Sequence, residues 1–172
     1  MRMLTTMILA LSLATPSMAA PCPAENLVQN AGAAFMGASR AGTSGAFIGA
    51  ASRFADLRGL ALFALGPYRK NLPKNREAEY VALARQFMGR FMAQYASRFS
   101  GNAITITSCG GNVIGTKLST GQSLNFRLRG SNRIEDVSIS GVWLAQTMRS
   151  KFVGVLNSHG GDVDALIGWL AN

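Results

Sequence analysis

Few side chains in this chain are able to do chemistry. His159 is the single histidine, and Cys22 and Cys109 are the two cysteines. Nucleophilic catalysis needs a base held by a third group. His159 instead stands directly before Gly160-Gly161, where a helix is expected to stop, and there a ring nitrogen suits a capping role better than proton abstraction. The carboxylates fall as close neighbours: Glu77 with Glu79, Glu135 with Asp136, and Asp162 with Asp164. Their places, at helix starts or inside an alternating strand, are those of capping or solvated groups rather than of an acid–base pair. The glycines are dispersed through apolar segments, with no phosphate-cradling or dinucleotide loop among them. One histidine and two cysteines are too few to ligate a metal. The expectation is a binder, not an enzyme, with no cofactor and no metal.

The compartment follows from the first residues. Arg2 supplies a positive start, Met7 to Leu13 an apolar run, and Ser17-Met18-Ala19 a small-x-small cleavage site. Residues 1–19 therefore read as a secretory signal, and residues 20–172 as one exported mature domain, too short for two ordinary domains. Cys22 follows Pro21 rather than a small residue, which argues against acylation. In an oxidising compartment two cysteines pair, and the only possible bond joins Cys22 to Cys109. On the chain-entropy model it would contribute up to about 4 kcal/mol.

Lys and Arg number 17 against 8 Asp and Glu, a formal charge of +9. Such a balance keeps an exported protein soluble, and it also draws a protein toward anionic lipid head groups by about 1 kcal/mol per basic residue near the surface. Nucleic acid is not an expected partner, because the arginines are scattered rather than gathered on a groove-reading element.

Stepping along the chain, Leu27, Ala31, Ala34, Phe35 and Ala38 mark a helix from Pro23 to about Arg40. Thr43 or Ser44 caps a second helix through Phe47, Ile48 and Ala51. Leu57 to Leu65 is apolar nearly all round, as in a buried helix. A long helix is then expected from about Arg76 to Phe99. Tyr80, Ala84, Phe87, Phe91 and Tyr95 form its central stripe, widened by Met88, Met92 and Phe99. Flexible methionines and wide aromatics suit either a filled core or a cavity accepting variable hydrocarbon. The period next changes to two: Ala103–Ser108, Asn112–Leu118, Leu124 to Leu128 and a segment with Val137 and Ile139 read as an antiparallel meander. Two closing helices follow. Leu144, Met148, Phe152 and Val155 stripe the first, and Val163, Leu166, Ile167 and Leu170 the second, which Asp162 caps.

The run Gly141-Val142-Trp143-Leu144, then Arg149-Ser150-Lys151-Phe152, then Gly160-Gly161, then Leu166-Ile167 resembles the end of the MlaC-type periplasmic phospholipid-binding, or toluene-tolerance, family. Leu65-Gly66-Pro67-Tyr68 matches another of its elements, although Pro67 and the absence of a Trp after Tyr68 depart from it. The resemblance implies an α+β fold with several helices packed on one face of a twisted antiparallel sheet, enclosing an apolar pocket. It further implies a soluble carrier that passes diacyl phospholipid between an outer-membrane MlaA-like lipoprotein and an inner-membrane MlaD-like component of an ABC transporter, maintaining outer-membrane lipid asymmetry. On the inward faces of the enclosing elements, the expected lipid-binding residues are Phe63, Phe87, Phe91, Tyr95, Leu124, Phe126, Leu128, Ile139, Trp143 and Met148. Arg149 is expected to be structural, reaching backbone carbonyls or an acidic neighbour such as Asp136, with contact to a lipid phosphate as its alternative role. The competing reading is a non-enzymatic envelope adaptor or structural protein with a filled core and a basic docking surface.

Overall fold

The structure, a computed structural model, describes Cys22 and residues 24–172; the expected signal segment and Pro23 lie outside the described residues. Six α-helices, α1 (Glu25–Ala41), α2 (Ser44–Phe54), α3 (Leu57–Ala64), α4 (Glu77–Gln94), α5 (Leu144–Ser158) and α6 (Val163–Ala171), accompany five strands. The strands, β1 (Ile104–Gly110), β2 (Val113–Leu118), β3 (Ser123–Arg129), β4 (Arg133–Ile139) and β5 (Val142–Trp143), form one antiparallel meander in chain order.

Local chemistry sets the boundaries. Gly42, at φ 66°, closes α1, and the Thr43 hydroxyl accepts the Ala46 N–H to start α2. Asp56 caps α3 through Gly59 N–H, and Asp162 caps α6 through Asp164 N–H. Between α3 and α4 a 3₁₀ turn, Gly66–Asn71, clamps the far end of α5: the Tyr68 hydroxyl donates to Asn157 at 2.7 Å and Asn71 donates to the Gly161 carbonyl at 3.0 Å. A side chain at Gly161 would meet the Tyr68 ring at 2.7 Å, so glycine there serves both the φ of 84° and the close approach.

α4 is shorter than its apolar pattern predicts. It stops at Gln94, and residues Ala96–Phe99 turn as a 3₁₀ segment that carries Phe99 under α1 and α2. There the Phe99 ring stacks with Phe35 (5.9 Å between centroids) and tilts against Phe47 (5.4 Å), while Ser39 Oγ donates to the Ala96 carbonyl. The aromatic contacts and that hydrogen bond outweigh one more helical turn. The phase of the stripe also differs: Tyr80, Ala84, Met88 and Met92 form the fully buried line, and Phe87, Phe91 and Tyr95 run along its flank. Gly89 lets α2 approach α4, since a Cβ there would lie 2.6 Å from Ile48. In α5 the deepest position of the last turn is Leu156 rather than Val155.

Leu124, Phe126 and Leu128 point one way from β3, into the helices, as their alternation predicts. β4 breaks that alternation. Its register against β3 shifts between Arg127 and Leu128, where Arg127 pairs with Asp136 and Leu128 with Ile134, leaving Glu135 as an extra residue. Ile134, Val137 and Ile139 thereby share the inner face, while Asp136, opposite Arg127, is buried and serves as a cap rather than a solvated group.

The Cys22–Cys109 disulfide is present, tying the residues before α1 to the edge strand β1. Replacing both cysteines by serine should lower stability by about 2–4 kcal/mol without abolishing the fold. Chemical denaturation monitored by circular dichroism measures that difference; an unchanged midpoint would contradict it.

Candidate functional site

The end of α4, the β4–β5 edge and the first half of α5 do not close on each other. They leave an open cleft of about 310 Å³ lined by Phe91, Met92 and Tyr95 with Arg98 and Phe99 from α4 and the turn after it, Val137, Ile139 and Val142 from the sheet, and Leu144, Thr147 and Lys151 from α5. A gap of about 10 Å³ continues inward between Met88, Met92, Leu60, Val137 and Leu144. On the outer side a shallow groove over Phe87 and Trp169 shares Phe91, Tyr95 and Lys151 with the cleft.

Of the expected lipid-binding residues, the structure brings Phe91, Tyr95 and Ile139 together in this cleft. Phe91 stacks between its neighbours, 6.4 Å from Phe87 and 4.9 Å from Tyr95, so the three rings form a ladder along the helix flank. Phe87 lies outside the cleft, edge-on to Phe152 at 5.2 Å. Leu124, Phe126 and Met148 are wholly buried in the close-packed core, not on the cleft wall. Leu128 is buried beside the disulfide. Trp143 faces away, because successive residues of a strand point to opposite sides: Val142 takes the cleft side, and Arg127 lies over the Trp143 ring at 4.2 Å. Phe63 is exposed on the far side of α3, beneath the Arg149 guanidinium. The lining residues that inspection of the sequence did not single out are Arg98, Val142, Thr147 and Lys151. Val142 lies in the two-residue β5, too short to show an alternation, and Thr147 and Lys151 lie off the apolar stripe of α5.

Asp136 holds the cleft's α5 wall in place. One of its carboxylate oxygens accepts both the Val137 N–H and, at 2.9 Å, the N–H of Ala145 in the first turn of α5. This caps the helix from the sheet, since Trp143 at the N-cap position offers no side-chain acceptor. The other oxygen, Oδ2, is buried without a hydrogen bond and lies 3.7 Å from Arg127. Burial pushes the Asp136 carboxyl above its ordinary value, against the pull of the two N–H groups and Arg127. Arg149 reaches neither Asp136 nor any hydrogen-bond acceptor among the described residues. Its guanidinium covers the Phe63 ring at 4.9 Å and sits against Gly66, a packing role in place of the expected polar one.

The other titratable groups are accounted for structurally. His159 Nδ1 donates to the Val155 carbonyl at the end of α5, in the capping role expected of it. Glu79 and Asp164 both pair with Arg76, Glu77 pairs with Arg58, and Glu135 shares Arg129 with Asp56. The last pair borders a separate depression of about 370 Å³ in which seven charged residues stand beside Leu60, Leu62 and Phe63.

A cleft between a helical layer and the open edge of a meander sheet defines an α+β binding domain. Residues 40–172 match the family model described as MlaC protein, and the chain belongs to that family. α1, apart from its last two residues, and Cys22 precede the matched segment. Among solved structures, the chain is similar to a phospholipid-binding protein from Ralstonia solanacearum determined in complex with a phospholipid. The two share 17% identity at a TM-score of 0.66, over 87% of this chain and 93% of that one, a likeness of fold. No curated protein sequence matches. Among the described residues no helix is long and apolar enough to cross a membrane.

The pH dependence of stability checks the role given to Asp136. With its folded value raised, the carboxyl's favourable contribution is complete below about pH 4 and is lost as pH rises through the folded value. Wild-type stability relative to Asp136→Asn should therefore fall as pH rises above about 4, at no more than about 1.4 kcal/mol per pH unit. Urea denaturation of both proteins across that range gives the slope, and a slope of the opposite sign would rule out a carboxyl governed by burial.

Proposed function

We propose that this protein is a non-enzymatic periplasmic carrier of diacyl phospholipid, and that the cleft between α4, the β4–β5 edge and α5 receives the acyl chains. Membership of the MlaC family and the phospholipid bound to its Ralstonia solanacearum structural relative support the reading. The observation that carries it in this chain is the cleft itself: an aromatic ladder faces Val137, Ile139 and Leu144 across open space that borders the packed core.

Each methylene taken from water contributes about 0.8 kcal/mol, so two acyl chains of on the order of thirty methylenes need nearly complete enclosure. A cleft of about 310 Å³ is at the lower end of ordinary ligand pockets. Two chains fit only if the helices and the sheet part further along the line already marked by the inner gap and its methionines. In the family's scheme the donor and acceptor are an outer-membrane MlaA-like lipoprotein and an inner-membrane MlaD-like transporter component, and exchange with both keeps the outer membrane asymmetric. The exported location rests on the signal-like residues 1–19.

Polar substitutions separate this reading from that of an adaptor with a filled core. Phe91→Asn and Ile139→Asn, on the cleft wall, should cost less than about 2 kcal/mol of stability, because water in the open cleft solvates the amide, while bound acyl chains oppose it. Both should reduce the phospholipid that co-purifies and slow its transfer between vesicles. Phe126→Asn, in the closed core, should cost about 3–5 kcal/mol whatever the function. Thermal melts read beside lipid extraction provide the comparison. Cleft variants that unfold as Phe126→Asn does, from a wild type that never carries lipid, would overturn the carrier.

A further inference from the structure

The cleft mouth has a chemistry that its interior does not explain. Among the described residues, three of the four exposed large apolar side chains stand around it or in the adjoining groove: Val142 at 59% exposure, Trp169 at 41% and Tyr95 at 37%. The fourth, Phe63, lies under Arg149 elsewhere. Between these side chains project Arg90, Arg98 and Lys151. Arg98 lies along the Tyr95 ring at 5.6 Å, and Arg90 is anchored by a bond to the Leu170 carbonyl at 2.9 Å.

The carboxylates are placed elsewhere. None of the eight Asp and Glu residues of the chain lines the cleft or the adjoining groove. Glu77, Glu79, Asp162 and Asp164 sit at the starts of α4 and α6, Asp56, Glu135 and Asp136 gather in the charged depression, and Glu25 opens α1. The mouth is thus an apolar rim whose cations face no Asp or Glu side chain. Tyrosine and tryptophan place an apolar ring in hydrocarbon with a polar edge in the head-group layer, and long basic side chains extend along apolar surface to reach phosphates. Both needs are met together at the surface of an anionic bilayer. An acidic protein surface would answer the cations but leave Val142 and Trp169 facing polar groups.

We propose that the cleft mouth is a docking surface for anionic phospholipid bilayers, with Val142, Tyr95 and Trp169 entering the head-group layer and Arg90, Arg98 and Lys151 holding lipid phosphates. This rests on the carrier reading and adds where and on what the carrier sits: the cleft opens directly onto the hydrocarbon from which a chain would enter. Docking is electrostatic at first approach and therefore weakens with salt.

Flotation of the mature protein, residues 20–172, with vesicles tests it. One set contains phosphatidylethanolamine with a minority of phosphatidylglycerol, and the other phosphatidylcholine alone. The wild type should float with the first at low salt and much less with the second or at high salt. Arg98→Glu combined with Lys151→Glu should weaken the binding by about tenfold or more. Arg90→Glu, outside the cleft, should weaken it several-fold while phospholipid recovered from the purified protein stays at the wild-type level. Lys117→Glu, on β2 away from the mouth, changes net charge equally and should float as the wild type does. The proposal is overturned if a lipid-loaded wild type ignores anionic vesicles, even if it binds an acidic protein instead, if the mouth variants float normally, or if Lys117→Glu loses as much as Arg90→Glu. A wild type that never contains phospholipid would instead remove the carrier reading beneath it.

Discussion

Asp136 accepts the N–H of its own neighbour Val137 and that of Ala145 across the chain, and the rest of the site depends on that pair of bonds. They seat the first turn of α5 on β4 and set the direction in which the helix leaves the sheet. With α5 so directed, Leu144 and Thr147 stand opposite α4 at a distance, and further along Phe152 fills the space against Tyr80 and Trp169. Closure at one end and opening at the other follow from a single anchored helix. Asp136 keeps the regular register opposite Arg127, on the other face of β4 from Val137, and the extra residue at Glu135 returns Ile134 to the inner face beside Val137 and Ile139. The remaining carboxylate oxygen is left with Arg127 at a long 3.7 Å. A buried acceptor so placed is costly, and the fold keeps it where it governs the width of the cleft.

The helical layer is built for both rigidity and yielding. α2 and α4 touch closely at Gly89, and Tyr80 is fixed by donation of its hydroxyl to the Ala61 carbonyl at 2.6 Å. Toward the C-terminal end of α4 the buried line changes to Met88 and Met92, which have more torsional freedom and no hydrogen bonds to keep. These methionines border the small inner gap. Space for a second acyl chain is thus most readily made by repacking methionine, while the polar anchors at Tyr80 and Asp136 stay in place.

Much of this was legible from residue spacing. The alternation of Leu124, Phe126 and Leu128 gave β3 its inner face, Asp162 its cap, Gly160-Gly161 the helix stop, and two cysteines their bond. What failed did so for particular reasons. Helical periodicity cannot see the tertiary contacts by which Phe35 and Phe47 draw Phe99 out of α4. A bulge is invisible to period-two reasoning, which cannot put Ile134 on the same face as Val137. Trp143 is a large apolar residue in a two-residue strand, where one step decides between the cleft and the outer face, and the cation of Arg127 took it. Inward direction alone also does not separate a cavity wall from a packed core: Leu124, Phe126 and Met148 point inward as Phe91 and Ile139 do, yet only the latter pair borders open space.

The central claim is that the space between α4, β4–β5 and α5 holds phospholipid. Native mass spectrometry of the mature protein, purified from the periplasm without detergent, addresses it most directly. The account predicts a mass above that of the disulfide-bonded polypeptide by one diacyl phospholipid, released on collisional activation and much reduced in Phe91→Asn. A spectrum containing only the bare polypeptide, from protein that is folded and disulfide-bonded, would contradict it.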